Sequence, residues 1–262
     1  MKVCNFSSGS EGNVTYVETE NSKVLVDLGI SCTKVEKILK EMNVNPSQID
    51  AILVSHEHTD HTNGIPYFSK KYGTKVFVHQ KSIPGFLRKL KGMDQGKITE
   101  FWDVPFQFLD LLIEPIEVAH DSDHCVAFTL SENNKKVGII TDLGHFDNNI
   151  INAMQGCRLL YVEANHNPKM LEENLTYPLW LKKRIAGNNG HLSNEQSAKL
   201  IAKLIGANTK QIMLSHLSHE NNTPELAYTE VLKSLFNDGF VEGDGFRIGV
   251  ATTKPTAIFK LK

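Results

Sequence analysis

The sequence predicts an α/β fold. Short apolar runs rich in Val, Ile and Leu recur along the chain, several of them closed by His, Asp or Glu. Between them lie segments whose apolar residues repeat at i, i+3, i+4 and i+7, the spacing of one helix face. With 262 residues, 40% of them hydrophobic, the chain can bury a sizeable core. Length alone allows one large domain or two small ones. No Pro-, Gly- or Ser-rich linker and no short-period repeat divides the sequence, so a single domain over residues 1–262 is expected.

The elements follow in order. Val24-Leu25-Val26 is a strand ending at Asp27. A helix follows, with Thr33-Lys34-Val35-Glu36 as a capping box and Val35, Ile38, Leu39 and Met42 as its stripe; Asn45-Pro46 ends it. Ala51-Ile52-Leu53-Val54 and Val76-Phe77-Val78 are further strands. Three later runs carry chemistry at their ends. Val137-Gly138-Ile139-Ile140 leads to Asp142, Leu159-Leu160-Tyr161-Val162 to Glu163-Ala164-Asn165-His166, and Gln211-Ile212-Met213-Leu214 to His216. His56, Asp142 and His216 each stand two residues beyond the last apolar residue of a strand, an offset that brings side chains to one sheet edge. Ser193-Asn194-Glu195-Gln196 is a second capping box, before the stripe Ala198, Ile201, Leu204 and Ile205. Thr223-Pro224 supplies an N-cap and a first-turn proline, with Ala227, Val231 and Leu235 behind it. Asn237-Asp238-Gly239 and Gly243-Asp244-Gly245 are turns.

Composition narrows the class. The net charge of −2 and a pI near 6.6 give no global basic field, though a local basic face remains open. The four cysteines form no C-x-x-C pair, which argues against a Cys-zinc site or a disulfide framework. Residues 1–10 contain no apolar signal segment and no run reaches membrane-spanning length, so a cytoplasmic protein with no membrane partner is expected.

The densest chemistry lies in His56-Glu57-His58-Thr59-Asp60-His61, directly after a strand. Three imidazoles and an aspartate within six residues offer N and O donors suited to zinc, manganese, iron or cobalt. In an extended segment His56 and His58 point the same way, while Asp60 and His61 turn toward a second position. A pair of metals needs about seven or eight protein ligands. His120 can complete the first position, Asp142 can bridge the two with its carboxylate oxygens, and His216 can complete the second. His219 competes with His216 but lies deeper in a polar loop. His79, His124 and His145 lack a partner pattern and are expected to be structural or exposed.

The order H-x-H-x-D-H, a lone His, a strand-end Asp and a strand-end His resembles the metallo-β-lactamase superfamily over most of the chain. The resemblance implies a four-layer αββα sandwich: two mixed sheets flanked by helices, with a two-metal site at one edge. It implies one metal on His56, His58, His120 and Asp142, and another on Asp60, His61, His216 and the same Asp142. His58, where the oxygen-reducing diiron branch has glutamate, looks like the hydrolases. The stretches Ser7-Ser8-Gly9-Ser10-Glu11-Gly12-Asn13, Glu163-Ala164-Asn165-His166 and Gly190-His191-Leu192-Ser193-Asn194 look like the YycJ/WalJ-type subgroup, regarded as DNA exonucleases. PhnP-type phosphodiesterases share the Gly-His-x-Ser element, where the histidine assists phosphate chemistry. His219 departs from the acidic residue expected of the subgroup.

The expected function is therefore two-metal phosphodiester hydrolysis, most specifically DNA exonuclease action. The cofactors would be two divalent metal ions per chain, zinc or manganese, sharing an activated water as nucleophile. His191 and Asp60 are the expected catalytic residues. His191 would contact a phosphoryl oxygen or protonate the leaving alkoxide, and the amides of the helix capped by Ser193 would favour an anion. The DNA partner would meet Lys81, Arg88, Lys89, Lys91 and Lys97, or Lys182-Lys183-Arg184, with Phe86 and Tyr177 available to stack. Two other classes compete: a hydrolase of small phosphodiesters or thioesters, and a non-catalytic metal protein that binds a partner.

Overall fold

The computed structural model describes residues 1–261. One seven-stranded sheet contains β1 (Lys2–Ser7), β2 (Val14–Glu18), β3 (Lys23–Val26), β4 (Ala51–Leu53), β5 (Lys75–His79) and β6 (Ile98–Phe101). The second contains β7 (Phe106–Phe108), β8 (Leu111–Val118), β9 (Cys125–Glu132), β10 (Lys135–Ile140), β11 (Leu159–Glu163), β12 (Gln211–Ser215) and β13 (Arg247–Val250). The chain then returns, and β14 (Phe259–Lys260) pairs with β1 at the edge of the first sheet. Each sheet runs through three antiparallel pairings and then three parallel ones: β14 to β3 and then to β6, and β7 to β10 and then to β13. Backbone pairing does not require similar side chains, so such a structural repeat need not show as a short-period repeat in the residues.

The layers follow from side-chain alternation along the strands. Val24, Val26 and Leu53 face Phe128, Leu130, Leu159, Tyr161 and Met213 in the core between the sheets. Their neighbours Leu25 and Ile52 face outward, against helices α1 (Cys32–Glu41), α3 (Ile65–Tyr72) and α4 (Ile83–Lys89). On the other side, Ile140, Leu160, Val162, Ile212 and Leu214 meet α5 (Asn148–Met154), α8 (Asn194–Leu204) and α9 (Pro224–Asn237). Short α2 (Thr59–Thr62), α6 (Pro168–Glu173) and α7 (Leu179–Ile185) border the edge where the parallel strands end. Parallel strands covered on both faces read as continuous apolar runs, which is why the sequence shows them. The fold is the expected αββα sandwich. No helix among the described residues is long and apolar enough to cross a membrane.

Two of the expected caps hold. The Ser193 side chain accepts from Gln196 N and the Thr223 side chain from Leu226 N. The third differs. Ser31, not Thr33, caps α1, accepting from Lys34 N. Two hydroxyls stand two residues apart, and only the extended backbone at Ser31 (φ −62°, ψ 145°) selects between them. Glu36, expected to close the box, instead accepts from Lys71 Nζ and Tyr72 Oη at 2.8 Å each and ties α1 to α3. Asn45-Pro46 does more than stop a helix: Asn45 and Gln48 form a capping box of their own around a single 3-10 turn.

Candidate metal centre

Three strand ends at the shared edge turn abruptly. Asp27 after β3, Asp142 after β10 and His216 after β12 have φ of 60°, 49° and 53°. This left-handed conformation costs a residue with a Cβ about 1–2 kcal/mol, and its concentration here marks a constrained site. The β4–α2 segment supplies His56, His58, Asp60 and His61, and the turn after β8 supplies His120. His58 is the N-cap of α2 but makes no side-chain cap bond, so its ring remains free for the cluster. Asp60 and His61 lie in the first turn.

Every residue expected as a ligand comes to this edge. His56, His58 and His120 form one group, with the His58 Nδ1 and His120 Nε2 atoms 3.4 Å apart. Asp60, His61 and His216 form the other; Asp60 Oδ2 is 3.5 Å from His61 Nε2 and 3.4 Å from His216 Nε2. Asp142 lies between. Its Oδ2 is 3.0 Å from His61 Nε2, and its Oδ1 is 3.4 Å from His216 Nδ1 and 3.7 Å from His120 Nε2.

The second layer of contacts fixes which nitrogen faces inward. A carboxylate or carbonyl oxygen only accepts, so a ring nitrogen bonded to one carries the proton. His61 Nδ1 donates to Asp27 Oδ2 (2.7 Å), His216 Nδ1 to Glu163 Oε1 (2.9 Å) and His120 Nδ1 to the Gly190 carbonyl (3.1 Å). Ser55 Oγ donates to Asp27 Oδ2 (2.8 Å) and so accepts from His56 Nδ1 (3.0 Å). Four imidazoles are thus oriented with Nε2 toward the cluster, the arrangement that outer partners impose on metal-binding histidines.

The residues fit a pair of cations. His56 Nε2 and Asp142 Oδ2 are buried and make no hydrogen bond. Each such atom costs about 1–3 kcal/mol unless something satisfies it. Burial, helped by the neighbouring His61, pushes His56 well below the usual histidine range; burial and His120 lower His58. Both rings are therefore neutral, the form that offers a lone pair to a cation. Burial opposes ionisation of Asp142, but His216 and His61 hold its carboxyl well below the usual range. Burial likewise opposes ionisation of Asp60, which His61 and His216 override.

Glu163 is the residue that sequence reasoning left without a role. Its Oε1 accepts from His191 Nδ1 at 2.7 Å as well as from His216, and its Oε2 accepts from the amides of Leu143 (3.1 Å) and Leu192 (3.0 Å). One fully buried carboxylate thereby positions His191 against the metal edge. The signal was present, since Glu163 closes an apolar strand as Asp142 does, but one residue earlier. Asp27 closes the Val24-Leu25-Val26 strand in the same way. Glu163→Gln should lower turnover about 10–100-fold, as loss of an outer-layer partner typically does. It should also move the alkaline limb of the pH profile downward, because the charge that holds the His191 proton is gone. Unchanged kinetics and an unmoved limb would deny Glu163 this positioning role.

Of the other expectations some hold and some do not. The amides beside Ser193 are already used: Leu192 N by Glu163, Ser193 N by Gln196 Oε1, Asn194 N by the His166 carbonyl and Gln196 N by Ser193 Oγ. They do not form an open anion site. His166 is buried and pushed down to about 4 by that burial, so it is neutral at pH 7. His219 is exposed beside Glu220, and His145 lies on the surface against the Asn188 carbonyl. His79 and His124 do have a partner. Their rings are 4.0 Å apart and both Nε2 atoms lie 3.1 Å from Asp103 Oδ1, with Lys81 Nζ on the other Asp103 oxygen at 2.9 Å. His79 Nδ1 accepts from the Lys81 amide and burial lowers its pKa, so this ring is neutral and the ion pair here is that of Lys81 with Asp103. Phe86 is fully buried and cannot stack on a base. Lys81, Arg88 and Lys89 are spent on Asp103, Asp123 and Glu57.

Comparison with known proteins agrees with this geometry. The Beta-lactamase superfamily domain matches residues 23–217, a span holding all seven expected ligands and His191. Exodeoxyribonuclease YycJ of Bacillus anthracis is 35% identical over 255 residues, covering 96% of each chain. Exodeoxyribonuclease WalJ of Streptococcus pneumoniae serotype 2 is 32% identical over 252 residues, 92% of this chain and 91% of that one. The metallo-beta-lactamase fold protein YhfI from Bacillus subtilis superposes with a TM-score of 0.72 over 98% of both chains at 16% identity, a likeness of fold. The fold implies divalent metal ions, and the clustered donors suit them. By its matched domain, its relatives and its layered architecture, the chain belongs to the metallo-β-lactamase superfamily.

Proposed function

We propose that this protein is a metal-dependent phosphodiester hydrolase, and specifically a DNA exonuclease. One observation carries the reading: two donor groups share Asp142 at an edge where Glu163 also fixes His191. Similarity to two exodeoxyribonucleases over most of the chain supplies the substrate class. His56, His58 and His120 would hold one divalent ion, Asp60, His61 and His216 the other, with Asp142 between them. Zinc or manganese suits these N and O donors. Bound there, such ions supply Lewis acidity toward the phosphoryl oxygens and activate water at neutral pH.

The chain's own residues do the remaining work. Asp60 and Asp142 offset only part of the charge of two divalent ions, so an anionic diester is attracted. Glu163 fixes His191 through Nδ1 and leaves its Nε2 to reach substrate. Burial alone would lower the His191 pKa, but the Glu163 carboxylate, with Asp142 beyond it, raises it above its ordinary value. That shift favours the protonated ring, from which His191 can donate a proton to the departing alkoxide. The ring loses that proton as pH rises through the raised pKa, so turnover should fall on the alkaline side.

His191→Ala should lower kcat about 10²–10⁴-fold while elemental analysis finds the metal content unchanged. End-labelled single- and double-stranded DNA and RNA, incubated with manganese- and zinc-loaded protein, test the class. Progressive shortening of DNA from one end supports an exonuclease. Turnover of a small diester or thioester with no action on DNA would assign a small-molecule hydrolase, and no hydrolysis under any metal would sink the enzyme reading.

A further inference from the structure

We infer that α7 and the segment leading into it form a platform for a DNA strand approaching the metal centre, with Trp180 stacking on a base. The inference rests on the nuclease reading above.

Residues 174–191 contain Lys182, Lys183 and Arg184 and no Asp or Glu. None of the seven residues of α7 is buried. Leu175, Leu179 and Trp180 are 99%, 67% and 65% exposed. A helix this short is not stable alone in water, and one that buries no apolar face gains little from packing. Its order comes from polar ties at its C-terminal end. His191 N donates to the Ile185 carbonyl at 2.8 Å, and Arg184 pairs with Asp121, the neighbour of His120. The Gly190 carbonyl accepts from His120 Nδ1. The protein therefore fastens an apolar, basic element directly to the residues around the metal centre and leaves its outer surface uncovered.

Charge and spacing indicate what covers it. In the other basic segment Lys81, Arg88 and Lys89 are paired with Asp103, Asp123 and Glu57, leaving Lys91 and Lys97 with no exposed tryptophan on the same element. Lys183 is exposed and has no ion-pair partner among the described residues. Trp180 and Lys183 are three apart, so both lie on one helix face. An exposed indole beside an unneutralised cation suits a strand that alternates flat bases with phosphates. A duplex hides its base faces except at its end, so the platform takes an unpaired strand or a terminal base.

The test uses the metal-loaded protein. The chain has two tryptophans, so Trp102→Phe isolates the emission of Trp180. A phosphorothioate oligothymidylate of about six nucleotides should quench that emission on binding. Trp180→Ala should raise KM for single-stranded DNA about tenfold, with Trp180→Phe recovering most of it. Lys183→Ala should reduce the salt slope of binding by about one. The diagnostic quantity is kcat/KM for DNA divided by kcat/KM for bis(p-nitrophenyl) phosphate, which Trp180→Ala should lower about tenfold. Equal losses on both substrates would make α7 merely a support for His191 and overturn the platform. So would wild-type DNA cleavage that Trp180→Ala leaves intact, or self-association lost in that variant without any effect on DNA. Wild-type protein that turns over the small diester but never cuts DNA would instead remove the nuclease reading itself.

Discussion

Asp142→Ala should lower turnover by about 10³-fold or more and reduce the bound metal. The carboxylate stands between the two donor groups, 3.0 Å from His61 of one and 3.7 Å from His120 of the other. No other acidic group replaces it there, since Asp60 lies on the side of the second group and Glu163 is committed to His191, His216 and two amides. Loss of several kcal/mol of transition-state charge stabilisation corresponds to about three powers of ten in rate. Folding should suffer too. Asp142 is the counterion of buried His61 and His216, and stripping one partner from a buried pair typically costs about 3–5 kcal/mol. Asp142→Asn keeps the shape and loses the charge, so its comparison with Asp142→Ala shows how much of each loss belongs to the charge rather than to packing. Metal content by elemental analysis, kcat on DNA and the denaturant midpoint are the three readouts. A variant within tenfold of wild type with both metals retained would refute the bridging assignment.

Gly29→Ala should destabilise the protein by about 3 kcal/mol or more, among the larger effects expected of a single methyl group. A Cβ at Gly29 would lie 1.6 Å from the Asp60 carbonyl oxygen, 2.3 Å from its carbon and 2.8 Å from Asn13 N. All three are backbone atoms, so no flexible side-chain end can move aside. The contact is part of a clamp on the metal-facing turn: Asn13 N donates to the Asp60 carbonyl at 2.8 Å, Leu28 N to the His61 carbonyl at 2.8 Å, and Gly29 N to the Asn13 carbonyl at 3.0 Å. Relief of the clash must displace α2, and with it Asp60 and His61, so activity should fall with stability. Gly206→Ala is the control. A Cβ there meets nothing within 4 Å, and its φ is not in the left-handed region. Equal denaturant midpoints for the two variants would contradict the close approach at Gly29.

Local signals carried far in this chain. The parallel strands are covered on both faces and so appear as apolar runs. Ser193 and Thr223 cap their helices as their neighbours indicate, because a cap is decided within four residues. The seven candidate ligands were legible because strand ends converge wherever parallel strands share a sheet. Signals that depend on competition were not. Ser31 rather than Thr33 caps α1, and the backbone angles alone decide it. Phe86 and Trp180 are both aromatic residues near basic ones, yet one is sealed in the core and the other stands in solvent. His79 and His124 are 45 positions apart in sequence, and Asp103 meets both only because β5 and β9 belong to facing sheets.

The sequence by itself determined the α/β class, six of the fourteen strands and three of the nine α-helices among the described residues, and which imidazoles and carboxylates stand ready at strand ends. Those are properties of residues and their immediate neighbours. The tertiary structure decided which nitrogen of each histidine turns inward, that Glu163 and Asp27 hold those rings, that backbone presses on backbone at Gly29, and that α7 remains uncovered beside the site. Such facts depend on distances between segments far apart in the chain, and packing fixes them only once both sheets have closed on their common core.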